Sequence, residues 1–316
     1  MKKRSLFLIS LSLLLVVALP LTAFAMSRES LLLSKDRAAA QAELDKLSPD
    51  EIMEKLKTKQ KITKPVRYAI NEYEHIQALQ KKTNSELVSD GYSQKEILSI
   101  RNYRQIFDDH IQELSSLDDN SLKRFNYSDE QIRIIRRYSG TTAQRYAMAA
   151  TCNISVDVDR CIYNANTKRT SGRVTTSFVW YGIPVIKLKD TLATGWNEWY
   201  LAGKTANIKY QYIYNSNSKW QAPTFVPGSD GGTSLGCGYA FDTSIDDNYY
   251  YAVEGFEIFS LDTSGAKDLH ATGLYAKRIL GSFPTISLSY KGLSVSISVD
   301  NVNQAYRGAD SKRVEY

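Results

Sequence analysis

The sequence predicts an α+β protein: a small N-terminal helical domain followed by an antiparallel β sandwich or partly closed barrel. Three observations carry this reading. Helix-start patterns recur through the first half, aromatic and β-branched segments alternate with polar residues through the second, and the change falls near Ala150. The expected layout is a signal peptide over residues 1–25, a helical domain over 26–149 and an all-β domain over 150–316.

The N-terminal segment carries the marks of export. Lys2-Lys3-Arg4 forms a basic start, Leu6 to Leu19 an apolar stretch, and Ala23-Phe24-Ala25 a small-x-small cleavage site. Pro20 and that cleavage site favour removal over an uncleaved anchor. No later stretch reaches the roughly 18 apolar residues needed to span a bilayer. The chain is therefore expected to be secreted, either extracellular or associated with the cell wall.

Helical signals dominate from Ser27 to Ala149. Tyr92-Ser93-Gln94-Lys95-Glu96-Ile97 and Tyr127-Ser128-Asp129-Glu130-Gln131-Ile132 repeat one pattern 35 residues apart. Each reads as a capping box, with Ser accepting from the third helical N–H and Glu96 or Gln131 reaching back, and a Tyr–Ile staple across it. Leu47-Ser48-Pro49-Asp50-Glu51-Ile52 is a weaker copy with proline at the first helical position. Helix is expected from Arg28 to Leu47, from Pro65 through Tyr68, Ile70, Tyr73, Ile76 and Leu79, and from Gln94 toward Leu114. Lys55, Lys57, Lys59, Lys61 and Lys64 form a basic run, read as a solvated face before an anionic-polymer contact.

Beyond Ala150 the period shortens. Val174 to Trp180, Ile208 to Tyr214, Tyr249 to Phe259 and Leu269 to Tyr275 read as strands between Gly, Asn, Asp and Ser clusters. Near the end, Ile286, Leu288 and Tyr290 alternate with serines, Lys291-Gly292 turns, and Leu293, Val295, Ile297 and Val299 alternate with serines again. A two-residue turn there pairs Tyr290 with Leu293, Leu288 with Val295 and Ile286 with Ile297. Apolar-serine alternation also fits the hairpin of a membrane pore, although about seven residues a side is short of the roughly 9–11 a crossing strand needs.

Composition narrows the function classes. The 316 residues carry a formal net charge of +6, and half of that excess lies in Lys2, Lys3 and Arg4. The remainder is too dispersed for a nucleic-acid footprint, so no nucleic-acid partner is expected. Cys152 and Cys161 bracket a short β excursion over Asn153 to Arg160 and are expected to form a disulfide, as an exported protein permits. Cys237 is then left over. No histidine stands near any cysteine and no zinc spacing exists, so neither a metal nor a cofactor is implied.

Patterns that suggest chemistry have plainer explanations. Gly232-Thr233-Ser234-Leu235-Gly236 matches a nucleophile elbow, but Tyr239 to Phe241 reads as strand and the only downstream histidine is His270. Glu72 and His75, with His110 and Glu113 in reversed order, have helix spacing for a di-metal site but read better as solvated faces. Asp242, Asp246, Asp247, Glu254 and Glu257 supply acids for sugar hydrolysis, with Glu254 and Glu257 on opposite faces of a regular strand. Asp246-Asp247-Asn248 reads as a turn, with weak calcium binding as its functional alternative. No catalytic set emerges.

Aromatic residues are the remaining signal. The chain has 21 Tyr against 10 Phe, concentrated in the second half with all four tryptophans. Trp196-Asn197-Glu198-Trp199-Tyr200 crowds three rings into five residues, and alternation cannot bury them all. One or two should face outward, where Tyr and Trp suit a half-wet contact surface. The expected contact residues are Trp196, Trp199, Tyr200, Tyr210 and Tyr212.

The signal peptide, the Tyr-Ser-x-x-Glu-Ile-x-x-Ile helix start and the aromatic β half with its serine-rich final hairpin resemble uncharacterised exported proteins of Gram-positive, spore-forming bacteria. The resemblance implies export and a helical region ahead of a β domain, and it transfers no catalytic residue. The functional expectation is a secreted, non-catalytic binding protein for a cell-wall polymer, glycan or surface protein. A secreted hydrolase using β-domain carboxylates and a membrane-active protein are the alternatives.

Overall fold

A computed structural model describes residues 28–62, 68–186, 189–227, 236–277, 286–291, 294–299 and 305–316. The signal-peptide segment and residues 232–235 of the Gly-rich elbow lie outside the described residues. Helices come first and β structure follows. The β half forms two facing antiparallel sheets rather than a closed barrel.

Helices α1 (Arg28–Leu44) and α2 (Pro49–Ile62) open the described chain. Pro49 begins α2, with Asp50 and Glu51 in the first turn where the helix dipole favours acids. The helix expected from Pro65 is shorter than its apolar spacing suggests. Tyr68–Asn71 is instead a strand, β1, which pairs antiparallel with β2 (Thr151–Asn164) in the register Tyr68↔Ile154 to Asn71↔Thr151. Tyr68 and Ile70 fit a period of two as well as a helical stripe, and the open edge of β2 decides between them. Helix α3 (Glu72–Gln80) then starts under an Asn71 cap, whose Oδ1 accepts from the Glu74 amide at 3.2 Å.

The 35-residue repeat is structural. Its first copy comprises α3, α4 (Asn84–Ser89) and α5 (Gln94–Arg101); the second comprises α6 (Tyr103–Ser115), α7 (Asp119–Arg124) and α8 (Asp129–Arg136). Both predicted capping boxes form, at Ser93/Glu96 and at Ser128/Gln131. The positive-φ residue before each cap is Gly91 in one copy and Asn126 in the other. Each copy ends in an arginine that donates back to carbonyls closing its earlier helices: Arg101 to Gln80 and Lys82, Arg136 to Ser115 and Leu117. The helix expected from Gln94 toward Leu114 breaks at Asn102, which ends α5 and begins α6. Helix α9 (Thr142–Met148) closes the helical half.

Across its width, one sheet runs β1, β2, β3 (Arg169–Tyr181), β10 (Tyr250–Ser264), β5 (Tyr200–Tyr212) and β6 (Ser218–Gln221), with β9 (Ser244–Ile245) attached to β10. The other runs β14 (Ala305–Lys312), β11 (Leu269–Lys277), β4 (Lys189–Trp196), β8 (Gly236–Asp242) and β7 (Thr224–Val226). Along one side the sandwich is stitched: the Tyr163 amide donates to Glu315 O, and the Glu315 amide to Cys161 O. The serine-rich segment forms a separate two-stranded sheet, β12 (Ile286–Lys291) with β13 (Ser294–Val299). Its register differs from expectation. Lys291 pairs with Ser294, so Tyr290 opposes Val295 and Ile286 opposes Val299, and apolar positions still meet apolar ones.

The expected Cys152–Cys161 disulfide is not there. Both cysteines lie on the single strand β2, opposite Trp180 and Gly172 of β3. Nine residues of extended chain hold them roughly 30 Å apart, whereas a disulfide needs Cα atoms within about 7 Å. No disulfide involves Cys237 either; all three cysteines are buried as thiols.

Apolar burial joins the two halves. Between the sheets lie Val174, Trp196, Trp199, Phe259 and Leu269, continuing into Ile154, Phe178, Trp180, Ile208 and Tyr275. On the outer face of the seven-stranded sheet, Leu44, Met53 and Leu56 of α1 and α2 cover Val179, Phe256 and Ile258. The helical core formed by Ile76, Phe107 and Ile111 takes in Ile183, Val185, Ile213, Tyr251 and Val253 from the β half. Glu72 adds a polar tie, its carboxylate accepting from the amides of Val185 and Ile186 at 2.9 and 3.0 Å.

Candidate functional site

The expected contact residues divide sharply. Trp196 and Trp199 are fully buried between the sheets. The Trp199 indole donates to the Asp268 carbonyl at 3.3 Å, so both its apolar face and its polar handle are used internally. Tyr210 is buried too, donating its hydroxyl to the Asp242 carbonyl at 2.7 Å, and burial pushes its phenol well above the ordinary range. None of these three rings is available to an external ligand. Tyr200 is 54% exposed but stands at the far end of β5 from Tyr212, roughly 40 Å away along an extended strand.

Tyr212, by contrast, belongs to a cluster of four tyrosines. Its ring centroid lies 5.0 Å from Tyr250, 5.8 Å from Tyr214 and 6.2 Å from Tyr249, and Tyr214 and Tyr249 are 6.1 Å apart. Tyr214 is 49% and Tyr249 47% exposed. These separations are those of favourable edge and offset ring contacts, so the four rings support one another as a single surface.

Local sequence explains why the rings collect there. The turn after β5 is held by Gln211, whose side-chain amide donates to the carbonyls of Tyr212, Asn215 and Asn217. Ile213 points into the helical core and its amide donates to Tyr249 O at 3.0 Å. With Ile213 inward, Tyr212 and Tyr214 on either side turn outward. The β9–β10 turn supplies the other pair. Asp246, Asp247 and Asn248 all have positive φ, a conformation that Asp and Asn tolerate better than bulky residues, and Tyr249 and Tyr250 follow directly.

Charged neighbours anchor the cluster. Lys219 sits 4.3 Å over the Tyr250 ring and pairs with Asp246. Tyr214 donates to Glu113 of α6 at 3.3 Å; partial burial and that carboxylate raise its phenol further. The surface is aromatic at its centre and hydrogen-bonding at its edge. Such a surface can stack on an apolar ring face while its hydroxyls bond the ring's polar rim.

The β-domain acids do not converge. Glu254 lies on the outer face beneath α2, paired with Lys57 and, at 3.5 Å, with Lys209. Glu257 is sealed between the sheets, accepting from Thr194 at 2.6 Å. The two therefore occupy opposite faces, as strand alternation requires. Glu72 is committed to the Val185 and Ile186 amides, and no group of three or more His, Cys, Asp or Glu among the described residues is placed to hold a metal ion. Sequence reading missed Tyr214, Tyr249 and Tyr250 as partners of Tyr212. The tyrosine run after an Asp-Asp-Asn turn was the signal that could have found them.

No family model matches the chain, and no curated protein matches it. Among solved structures, one described as "AvmM Catalyzes Macrocyclization in Alchivemycin A Biosynthesis" is similar at a TM-score of 0.24 and 10% identity, covering 52% of this chain and 89% of the other. A second, described as "pH-induced modulation of Streptococcus parasanguinis adhesion by Fap1 fimbriae", is similar at a TM-score of 0.24 and 13% identity, covering 52% and 80%. Both likenesses are too distant to carry a fold or a function across.

Proposed function

We propose that this is a secreted, non-catalytic binding protein that recognises an extracellular or cell-envelope ligand, such as a cell-wall polymer, glycan or surface protein, through the tyrosine surface of its β half. The observation that carries the reading is the mutual contact of Tyr212, Tyr214, Tyr249 and Tyr250 with two of the rings about half exposed. Exposed aromatics that make no contribution to a core are unfavourable in water, and grouping them suits a contact that covers them.

The test is retention of the purified protein on cell-wall fractions and insoluble polysaccharides, with and without the double substitution Tyr214→Ala/Tyr249→Ala. Wild type should be retained and the double variant weakened roughly tenfold, since each ring contributes about 0.5–1.5 kcal/mol beyond the area it covers. Both proteins should melt at similar temperatures. Equal retention of the two, or none by wild type on any fraction, removes the reading.

A further inference from the structure

The tyrosine surface already holds one cation, and it is the protein's own. The Lys219 ammonium lies 4.3 Å from the centroid of the Tyr250 ring, well inside the roughly 6 Å over which a ring face attracts positive charge. Asp246 pairs with that ammonium and fixes it there. Tyr250 is thus occupied. Tyr212, 5.0 Å from Tyr250, joins it to the two half-exposed rings, Tyr214 and Tyr249.

These last three rings surround a common point. The centroids of Tyr212, Tyr214 and Tyr249 are 5.8, 6.1 and 6.2 Å apart in pairs, a nearly equilateral triangle. Its centre is roughly 3.5 Å from each centroid, so a group seated about 3–4 Å above it is within about 5.5 Å of all three, inside cation–π range. The three planes are inclined to one another at 70°, 51° and 42°. Rings tilted in this way make no broad flat platform. They suit a compact, rounded group that meets several rings at once.

A carboxylate stands beside the triangle. Tyr214 donates to Glu113 Oε1 at 3.3 Å, and Glu113 is exposed at the surface of α6. Whereas Lys219 engages Asp246, among the described residues no lysine or arginine pairs with Glu113. A negative charge hydrogen-bonded to an aromatic cluster complements a positive occupant of that cluster.

We propose that the Tyr212/Tyr214/Tyr249 triangle binds a quaternary ammonium group of the choline type, carried by the envelope ligand assigned to this surface, with Glu113 as its countercharge. The assignment rests on the tyrosines being the contact face and specifies the chemistry they select. A quaternary ammonium spreads its charge over its methyl groups and gives up water more readily than a lysine ammonium does. It is therefore the cation that an aromatic cluster near a surface holds best.

Titration of choline into the full chain, followed by ligand-observed NMR, tests this against dimethylbutanol, the uncharged carbon isostere of choline. Choline should bind and the isostere should not. Tyr249→Phe keeps a ring face and should keep most of the affinity. Tyr249→Leu should weaken choline roughly two- to fivefold, the weight of one cation–π contact at an exposed site. Glu113→Gln, on an exposed side chain, should weaken it in the same direction, and it carries the test should Tyr249→Leu unfold. Free choline should also displace the protein from any wall fraction that retains it. Retention that choline leaves intact upholds the tyrosine contact face and overturns its ammonium chemistry. Choline binding by a protein that no wall fraction retains upholds the ammonium site and removes only the envelope ligand. Absence of choline binding, equal binding of the isostere, equal effects of Phe and Leu at Tyr249, or preference for glucose over choline would overturn the assignment.

Discussion

The indole Nε1–H of Trp196 donates to the backbone carbonyl of Trp199 at 3.0 Å. This bond closes the three-residue passage by which the chain leaves β4 in one sheet and enters β5 in the other. Glu198, between the two tryptophans, takes a positive φ of 39°, which turns Trp199 back toward the interior. Both rings can therefore be buried, although they are three residues apart on what would otherwise be one alternating strand.

Trp199→Ala should destabilise the protein by about 3–5 kcal/mol, the usual consequence of emptying a large buried aromatic site. The ring packs against Gly172, where an added Cβ would meet it at 2.9 Å, so the surroundings are too close-fitted to collapse without strain. Urea unfolding followed by far-ultraviolet circular dichroism measures the change. Retention on cell-wall fractions at a temperature where the variant stays folded should not alter.

Glu72 holds the helices to the sandwich through two charge-assisted hydrogen bonds from backbone amides. Glu72→Ala strands both amides in a buried setting and should cost about 2–4 kcal/mol, since hydrogen bonds to charged groups contribute about 1.5–3 kcal/mol each with partial relaxation. Wild type should unfold in one transition because its helical and β residues share a core. Differential scanning calorimetry of the variant should show a lower or split transition.

Glu257 gives a pH dependence of definite sign. Burial raises its carboxyl well above the ordinary 4.5, with the Thr194 hydroxyl opposing that only in part. The folded protein therefore keeps a proton that the unfolded chain releases. Stability from this group is complete below the ordinary value and declines as pH rises toward the folded one. Glu257→Gln, which can still accept from Thr194, should remove the decline. Its denaturation midpoint relative to wild type should climb as pH rises above the ordinary carboxyl value of 4.5; a constant difference would mean that the carboxyl is not protonated in the fold.

The cysteines should behave as buried thiols. In native buffer none should react quickly with a thiol reagent, because burial excludes the reagent and also raises the Cys161 thiol above its ordinary range. In denaturant without reductant all three should titrate. Mass spectrometry after alkylation under those conditions should show three additions, and a pair missing would mean that a disulfide forms.

Local signals were read well where local physics decides. Ser93/Glu96 and Ser128/Gln131 cap their helices because a capping box needs only four consecutive residues. The strands around Val174, Tyr249 and Leu269 form where aromatic and β-branched residues are dense, and Glu254 and Glu257 do face opposite ways. Misreadings arose where a distant partner overruled the pattern. Tyr68 and Ile70 joined the edge of β2 rather than a helix, and Cys152 and Cys161 were drawn apart by a strand continuing straight through the supposed excursion.

Apart from β1, the amino-acid order alone determined the succession from helices to strands, the helix caps and the surplus of tyrosine, because those depend on neighbours within a few residues. Only the tertiary structure decided which aromatics face outward. Exposure depends on which sheet the chain enters next and on what is packed above it: the crossing after Trp196 buries Trp199, whereas Ile213, docking into the helices, turns Tyr214 to the surface beside a half-buried Tyr212.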